Sequence, residues 1–214
     1  MQIEENEVLR YLGFRGNSPD GNTRALIREI SRQIITETHP KHLWQRDTLH
    51  WKADGSCVFH GISINSRSFR QHLGDCKEAV LFAATLGMEA DRWQNRYSRL
   101  EISKAAVWHA ASAAALESYC SQVQPEIAAS FSDRKWYFRS GFSPGYGDFS
   151  LELQGALLQL LDAGKRLGIT LTGGGLMQPE KSVVMFLGMS TSPDTCMKKS
   201  CAACENTECI YRRD

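Results

Sequence analysis

The sequence has 214 residues and a formal net charge of +1, with 42% apolar and 23% charged residues. This composition is typical of a globular protein and excludes collagen-like, coiled-coil and wholly disordered chains. Binding that depends mainly on phosphates needs clustered excess basic residues, so the nearly neutral charge argues against a nucleic-acid partner.

Segments that would direct the chain to or through a membrane are not found in the sequence. No run approaches the ~20 apolar residues of a membrane-spanning helix. Acidic residues stand among the first positions, where a secretory signal would be basic and then apolar. We therefore expect a cytoplasmic protein without a membrane partner.

The first part of the chain, residues 1–65, predicts two helices followed by a β-hairpin. Apolar residues at helical spacing indicate helices over residues 3–14 and 23–36. The pair Asp54-Gly55 lies between two runs of β-forming residues, which is typical of a hairpin turn.

The rest of the chain alternates helices and strands irregularly. We predict helices over residues 66–73, 88–97, 103–129 and 150–167, and strands over residues 76–85, 135–139, 169–172 and 182–187. This order predicts an α+β fold with a mixed, largely antiparallel sheet packed with several helices. No linker-like stretch divides the chain, so we expect one domain over residues 1–190 and a cysteine-rich tail over residues 191–214.

The loop of residues 140–148 (SGFSPGYGD) is the first candidate site. Pro144 fixes its own φ angle, while Gly145 and Gly147 permit sharp turns that bring the backbone close to a flat ligand. Tyr146 offers an aromatic face and a hydroxyl, and Asp148 can accept hydrogen bonds from ribose hydroxyls. The alternative is a plain connector between a strand and a helix, with Asp148 near the helix N-terminus.

Two polar residues lie on the longest predicted helix. A single histidine on an apolar helix, here His109, is more often a hydrogen-bonded core residue than a ligand. Glu117 stands among alanines and must reach solvent or a donor, because unpaired burial of a carboxylate is costly; from the residues alone, solvent is the better expectation. No Ser-His-Asp or paired-acid arrangement is evident, so we assign no catalytic side chain.

Four of the seven cysteines lie within the last part of the chain, at Cys196, Cys201, Cys204 and Cys209. Four thiolates can hold zinc or an iron–sulfur cluster. The two-residue spacer is typical of both sites, whereas the four-residue spacers match neither closely. Zinc, an iron–sulfur cluster and a disordered tail with redox-labile thiols therefore remain open.

A series of short motifs gives a resemblance to a known family. In order they are LFAATLG (81–87), LESYC (116–120), FSPGYGDF (142–149), LELQ (151–154), GITLT (168–172) and LMQPEKSV (176–183). The sequence resembles the S-adenosylmethionine-binding activation domain of cobalamin-dependent methionine synthase. It is more similar still to the free-standing bacterial proteins made of that domain alone.

The resemblance implies a reaction between a bound methyl donor and a corrinoid partner. That partner would be a methionine synthase lacking its own activation domain, or another corrinoid protein. An electron-donor protein reduces the inactive cob(II)alamin, and the reduced cobalt takes the methyl group of S-adenosylmethionine. Because the sulfonium methyl is electrophilic and the reduced cobalt is strongly nucleophilic, the protein mainly has to position the two reactants.

The resemblance also implies roles for individual residues. Gly145 and Tyr146 correspond to the loop that lines the S-adenosylmethionine groove, and Glu117 corresponds to a helical acid that binds the ligand's polar end. The family usually has an arginine, which pairs with the ligand carboxylate, where this chain has Gly141. Arg139 stands two residues earlier, on the same face of the predicted strand, and is the candidate substitute.

Two further positions depart from the family pattern. Gly173-Gly174 replaces a frequent Glu-Ser pair, and Glu180 stands where arginine is common. These departures support an alternative function: a corrinoid- or metal-linked binding module without affinity for S-adenosylmethionine. A redox or metal sensor acting through the cysteine tail is a third possibility.

Overall fold

The computed structural model describes residues 1–14, 18–131 and 134–192 of the protein. The helices are α1 (Glu5–Tyr11), α2 (Gly21–Glu37), α3 (Arg67–Leu73), α4 (Met88–Leu100), α5 (Ile102–Ala129), α6 (Leu153–Leu160) and α7 (Ala163–Leu167). The strands are β1 (Lys41–Thr48), β2 (His50–Trp51), β3 (Cys57–Phe59), β4 (Ile62–Ile64), β5 (Glu78–Thr85), β6 (Tyr137–Phe138), β7 (Thr170–Leu171), β8 (Met177–Gln178) and β9 (Ser182–Ser190).

A four-stranded sheet in the order β1-β5-β9-β6 forms the centre of the fold. All of its pairings are antiparallel, with Ala83 of β5 opposite both Leu43 of β1 and Val184 of β9. Two small antiparallel sheets, β2-β3-β4 and β7-β8, complete the strand pairing of the described residues. The predicted α+β class with largely antiparallel strands is confirmed.

Strand β5 is buried on both faces of the sheet. Leu81 and Ala83 belong to the apolar cluster on one face, and Val80 and Phe82 belong to the cluster on the other. Successive side chains of a strand point to opposite faces, so burial of both faces requires an unbroken apolar run. This explains the continuous hydrophobic segment in the sequence.

The two faces of the sheet carry different layers. On one face, α3, α6, α7 and the β2-β3-β4 hairpins pack around Phe186, whose ring lies 5.1 Å from those of Phe59 and Phe69. On the other face, the C-terminal half of α5 contributes Val123 and Ile127. The N-terminal half of α5 packs instead with α1, α2 and α4 around the fully buried Trp108.

The helix predicted over residues 150–167 is broken in the structure, and this prediction was wrong in part. Asp162 adopts a left-handed conformation (φ 52°, ψ 37°) that separates α6 from α7. The Ser150 hydroxyl accepts from the Glu152 amide before α6 begins, and Glu152 holds the N-cap position. The short strand β8 was not predicted.

The N-terminal elements share contacts with the rest of the fold. Strand β1 pairs with β5 along its whole length, and α2 packs against α5. The single-domain boundary at residue 190 stays a prediction, since residues 193–214 lie outside the described part. Among the described helices, none has the length and apolar character needed to cross a bilayer.

Truncation of the central aromatic side chain tests this arrangement. Phe186 is fully buried, so Phe186→Ala should lower the free energy of unfolding by about 3–5 kcal/mol through lost burial and a residual cavity. The exposed Ile102 provides the control. Ile102→Ala should change the free energy of unfolding by less than about 0.5 kcal/mol. Urea denaturation measures both, and a similar effect of the two substitutions would contradict the described core.

Candidate functional site

A groove of about 490 Å³ lies between α5, the loop before α6 and the start of β9. We call it the α5 groove. Its lining includes Ala113, Glu117, Cys120, Gly141, Tyr146, Lys181 and Met185. The volume lies within the range of sites that bind small molecules and cofactors.

One face of α5 forms a wall of this groove. Ala113 and Glu117 are four residues apart, and His109 precedes them by the same interval, so all three lie on one side of the helix. The small side chain of Ala113 leaves room between the two polar ones. This four-residue spacing is visible in the sequence and could have linked His109 with Glu117.

The loop that carries Tyr146 is held by its own backbone. Phe142 forms a β-bridge with Phe186 of β9, which fixes the start of the loop. The Gly145 amide donates to the Phe149 carbonyl at 2.7 Å, with Gly145 in the left-handed region at φ 91°. Pro144 is buried, whereas Tyr146 is 55% exposed at the groove.

Asp148 fastens the end of the same loop to α3. Its carboxylate accepts from the Ser66 hydroxyl at 2.6 Å and from the Arg67 and Ser68 amides, each at 2.9 Å. These hydrogen bonds hold the pKa of the Asp148 carboxyl well below its usual range. Asp148 is therefore near a helix N-terminus, but that of α3 rather than that of the following helix.

Gly147 is required where the loop meets α3. Its φ angle of 55° is left-handed, and a Cβ atom there would overlap the Ser68 hydroxyl. Gly147 and Asp148 do not line the α5 groove. Gly147 and Asp148 can therefore affect ligand binding only indirectly, by fixing the position of Tyr146.

Glu117 is partly exposed and hydrogen-bonded, rather than simply solvated. Its carboxylate accepts from Arg10 Nη2 at 3.1 Å and from the Tyr11 hydroxyl at 3.2 Å. Burial, followed by the negative charge of Glu117, raises the pKa of Tyr11. The same two causes raise the pKa of Tyr146, in accord with its place across the groove from Glu117.

A second polar group lies at the start of β9. The Lys181 ammonium is 2.6 Å from Glu180 Oε1 and 3.1 Å from His109 Nδ1. The expectation of a core histidine was wrong, because the His109 side chain is 59% exposed. Partial burial and then the neighbouring Lys181 charge lower the pKa of His109, so neutral His109 can accept a hydrogen bond from Lys181.

Arg139 is not brought together with Glu117 and Tyr146. Its guanidinium donates to the His72 carbonyl and to Asp75, and it does not line the α5 groove. Arg139 is also buried, so pairing with a carboxylate in the groove would require its side chain to move. At Gly141, the position of the family arginine, a Cβ atom would overlap the sulfur of Met185.

The predicted metal ligands Cys196, Cys201, Cys204 and Cys209 all lie outside the described residues. Within residues 1–14, 18–131 and 134–192, no group of three or more His, Cys, Asp or Glu side chains is arranged to hold a metal ion. The zinc and iron–sulfur hypotheses therefore stay predictions.

The Asp148 contacts predict a pH-dependent contribution to stability. Asp148→Asn removes the carboxylate that binds the N-terminus of α3, so we expect a lower melting temperature at pH 7. A depressed carboxyl pKa stabilises the fold above the unfolded-state value of about 3.9, and this contribution is lost as the pH falls through the folded-state value. The difference between wild type and variant should therefore shrink below about pH 4.

Thermal unfolding between pH 7 and pH 3 measures this difference. Asp162→Asn is the control, since the Asp162 side chain makes no capping hydrogen bond. A gap between wild type and Asp148→Asn that stays constant over the whole pH range would be inconsistent with the proposed anchoring.

The contribution of Arg139 to the stability of the fold can be measured without any ligand. Arg139→Ala leaves the His72 carbonyl without its guanidinium donor and should lower the free energy of unfolding by about 1–3 kcal/mol. Arg166→Ala, at an exposed position of α7, should change it by less than about 0.5 kcal/mol. Equal stability of the two variants in urea would show that these bonds contribute little.

Comparison with known proteins identifies a solved structure with a similar fold. No protein-family model matches the sequence, and no curated protein matches it significantly. Among solved structures, the chain is similar to the MetH reactivation domain bound to AdoHcy, with a TM-score of 0.62 and 15% sequence identity over 90% of this chain and 74% of that chain. At this identity the similarity shows the fold, and the chain has that of the methionine synthase reactivation domain.

Proposed function

We propose that the α5 groove binds S-adenosylmethionine and its product S-adenosylhomocysteine, and that the protein supports reductive methylation of a corrinoid partner. The observation that carries this proposal is the exposed Tyr146, held on a braced loop across the groove from Glu117. Its support from outside the chain is the shared fold with a domain solved in complex with AdoHcy.

The groove residues suit an adenosyl ligand. The Tyr146 ring can stack on a purine. Gly145 lies outside the groove lining, and its left-handed conformation shapes the loop that presents Tyr146. Glu117 can accept hydrogen bonds from ligand hydroxyl or amino groups. Pro144, Gly147 and Asp148 act by holding the loop in place, so binding needs little rearrangement of the protein.

The rim of the groove suits a large apolar partner surface. Tyr146 and Leu151 are both exposed, and Leu151 lies 3.6 Å from the position of a Cβ atom on Gly145. A corrinoid ring brought to this rim would cover the mouth of the groove and the ligand in it. The cobalamin would be carried by methionine synthase or another corrinoid protein, and a separate electron-donor protein would reduce its cobalt.

In this proposal the chain acts by positioning. The bound sulfonium supplies an electrophilic methyl group, which the reduced cobalt of the partner accepts as S-adenosylhomocysteine leaves. The role of the groove is to hold the donor in line and limit its motion, and no side chain is required to act as a base.

Binding is tested first by titration calorimetry with S-adenosylmethionine and S-adenosylhomocysteine. We expect saturable binding of both, weakened about tenfold or more by Tyr146→Ala, because stacking of a base on an aromatic ring contributes ~1–3 kcal/mol. Tyr137→Ala, on the edge strand β6 and outside the groove, is the matched control and should bind normally. Equal weakening by the two substitutions would argue against a role for Tyr146.

Methyl transfer is tested with the corrinoid partner. Under reducing conditions, label from the methyl group of S-adenosylmethionine should appear on the corrinoid only when this protein is present. Glu117→Gln should slow the transfer, whereas Glu126→Gln on the same helix should not. Absence of both ligand binding and label transfer would reject the proposal.

A specific observation favours the alternative of a binding module without S-adenosylmethionine. Met185 fills the space beside Gly141, and Arg139 is bound to Asp75 and the His72 carbonyl. A folded protein that binds a corrinoid protein but neither adenosyl ligand would support this alternative. Metal analysis and an absorption spectrum of anaerobically purified protein would test the sensor function and the tail cysteines.

A further inference from the structure

The geometry points to Lys181 as the residue that binds the carboxylate of the ligand's amino-acid end. This inference rests on the proposed function and assigns the orientation of the ligand in the α5 groove. The adenosine would lie beside Tyr146, and the carboxylate would lie at Lys181, near the N-terminal half of α5.

Lys181 is the one cationic side chain among the described residues that line the groove. S-adenosylmethionine and S-adenosylhomocysteine both carry a carboxylate, which needs a cation or several donors when it leaves water. The nearby Arg10 already donates to the two carboxylates of Glu7 and Glu117. Lys181 forms an ion pair with Glu180, and its charge also acts on the nearby Asp91 carboxyl.

Lys181 has more N–H donors than the two that its protein partners use. Its ammonium has three N–H groups. One faces Glu180 Oε1 at 2.6 Å and one faces His109 Nδ1 at 3.1 Å. The third is available for an oxygen in the groove, and the 9% exposure of Lys181 shows that the side chain is already held in place.

Glu180 is the weaker competitor for this ammonium. Its side chain is 54% exposed, so it can turn towards solvent when a ligand carboxylate arrives. His109 stays within hydrogen-bonding distance and orients the ammonium. Whether or not Glu180 stays, the ammonium keeps a carboxylate partner throughout, so no buried charge is left unpaired.

The spacing of polar residues along α5 is compatible with this orientation. His109 and Glu117 are eight residues apart on one face of α5, which corresponds to about 12 Å along the helix axis. An extended adenosyl amino acid is long enough to reach from Tyr146 and Glu117 to Lys181. Glu117 is then placed to accept from the ligand donors that lie between the purine and the carboxylate.

The inference is tested by comparing S-adenosylhomocysteine with its decarboxylated analogue, which lacks only the carboxylate. Wild-type protein should bind S-adenosylhomocysteine about tenfold or more tightly, because a hydrogen bond to a charged group is being added. Lys181→Met should bring the ratio of the two dissociation constants close to one, and Lys181→Arg should retain most of the preference.

Two other variants serve as controls. Lys165→Met, on the remote helix α7, should leave the ratio unchanged. Glu180→Gln keeps Lys181 and removes its competing carboxylate, so it should increase the preference for S-adenosylhomocysteine. This second variant keeps the inference testable if Lys181→Met does not fold, which melting curves would reveal.

The outcomes separate this inference from the function on which it rests. Equal binding of the two ligands by wild type, or an unchanged preference in folded Lys181→Met, would overturn the role of Lys181 and leave adenosyl binding intact. A preference lost in Arg139→Ala but kept in Lys181→Met would assign the carboxylate to Arg139 instead. Failure of wild type to bind either ligand would overturn both proposals.

Discussion

Burial of the β5-β9 pair on both faces is the constraint from which the rest of the architecture follows. Because neither face of these strands can meet water, each must be covered by a separate layer. The aromatic cluster around Phe186 covers one face, and the C-terminal half of α5 covers the other. The α5 groove lies where this long helix passes the start of β9.

The groove combines a rigid side with a charged side. On the rigid side, the β-bridge of Phe142 and the anchoring of Asp148 to α3 fix both ends of the loop that presents Tyr146. On the charged side, Glu117 belongs to α5, and Lys181 contacts the same helix at His109, two turns earlier; each has hydrogen-bond partners within the protein. Rigid placement of this kind reduces the conformational entropy that binding would otherwise cost.

Much of the fold could be predicted from sequence, because periodicity reports burial directly. The unbroken apolar run of β5 and the helical spacing of α2 and α5 gave elements close to those observed. The break at Asp162 could not be found in the same way, since the leucines continue at helical spacing across it and only the backbone conformation marks the end of α6. The two-residue strand β8 is too short to show any alternation.

The site was harder to predict than the fold, since its residues come from distant segments. The resemblance pointed to Tyr146 and Glu117, and the structure brings these two to one groove. Asp148 was a candidate for ligand binding, but its carboxylate faces α3 instead. A carboxylate can accept hydrogen bonds from the amides of a helix N-terminus as well as from ribose hydroxyls. Lys181 was overlooked, although the run LMQPEKSV contained it, because only the tertiary packing of β9 against α5 brings it to His109.

The chemical state of Cys120 has a consequence for a groove that would hold a methylating agent. This thiol lies in the lining, and burial, reinforced by the charge of Glu117, raises its pKa to about 12. The thiolate is the form of cysteine that attacks electrophilic carbon, and at neutral pH almost none of it is present. A sulfonium bound as proposed would therefore lie beside a protonated thiol, which is not the nucleophilic form of cysteine.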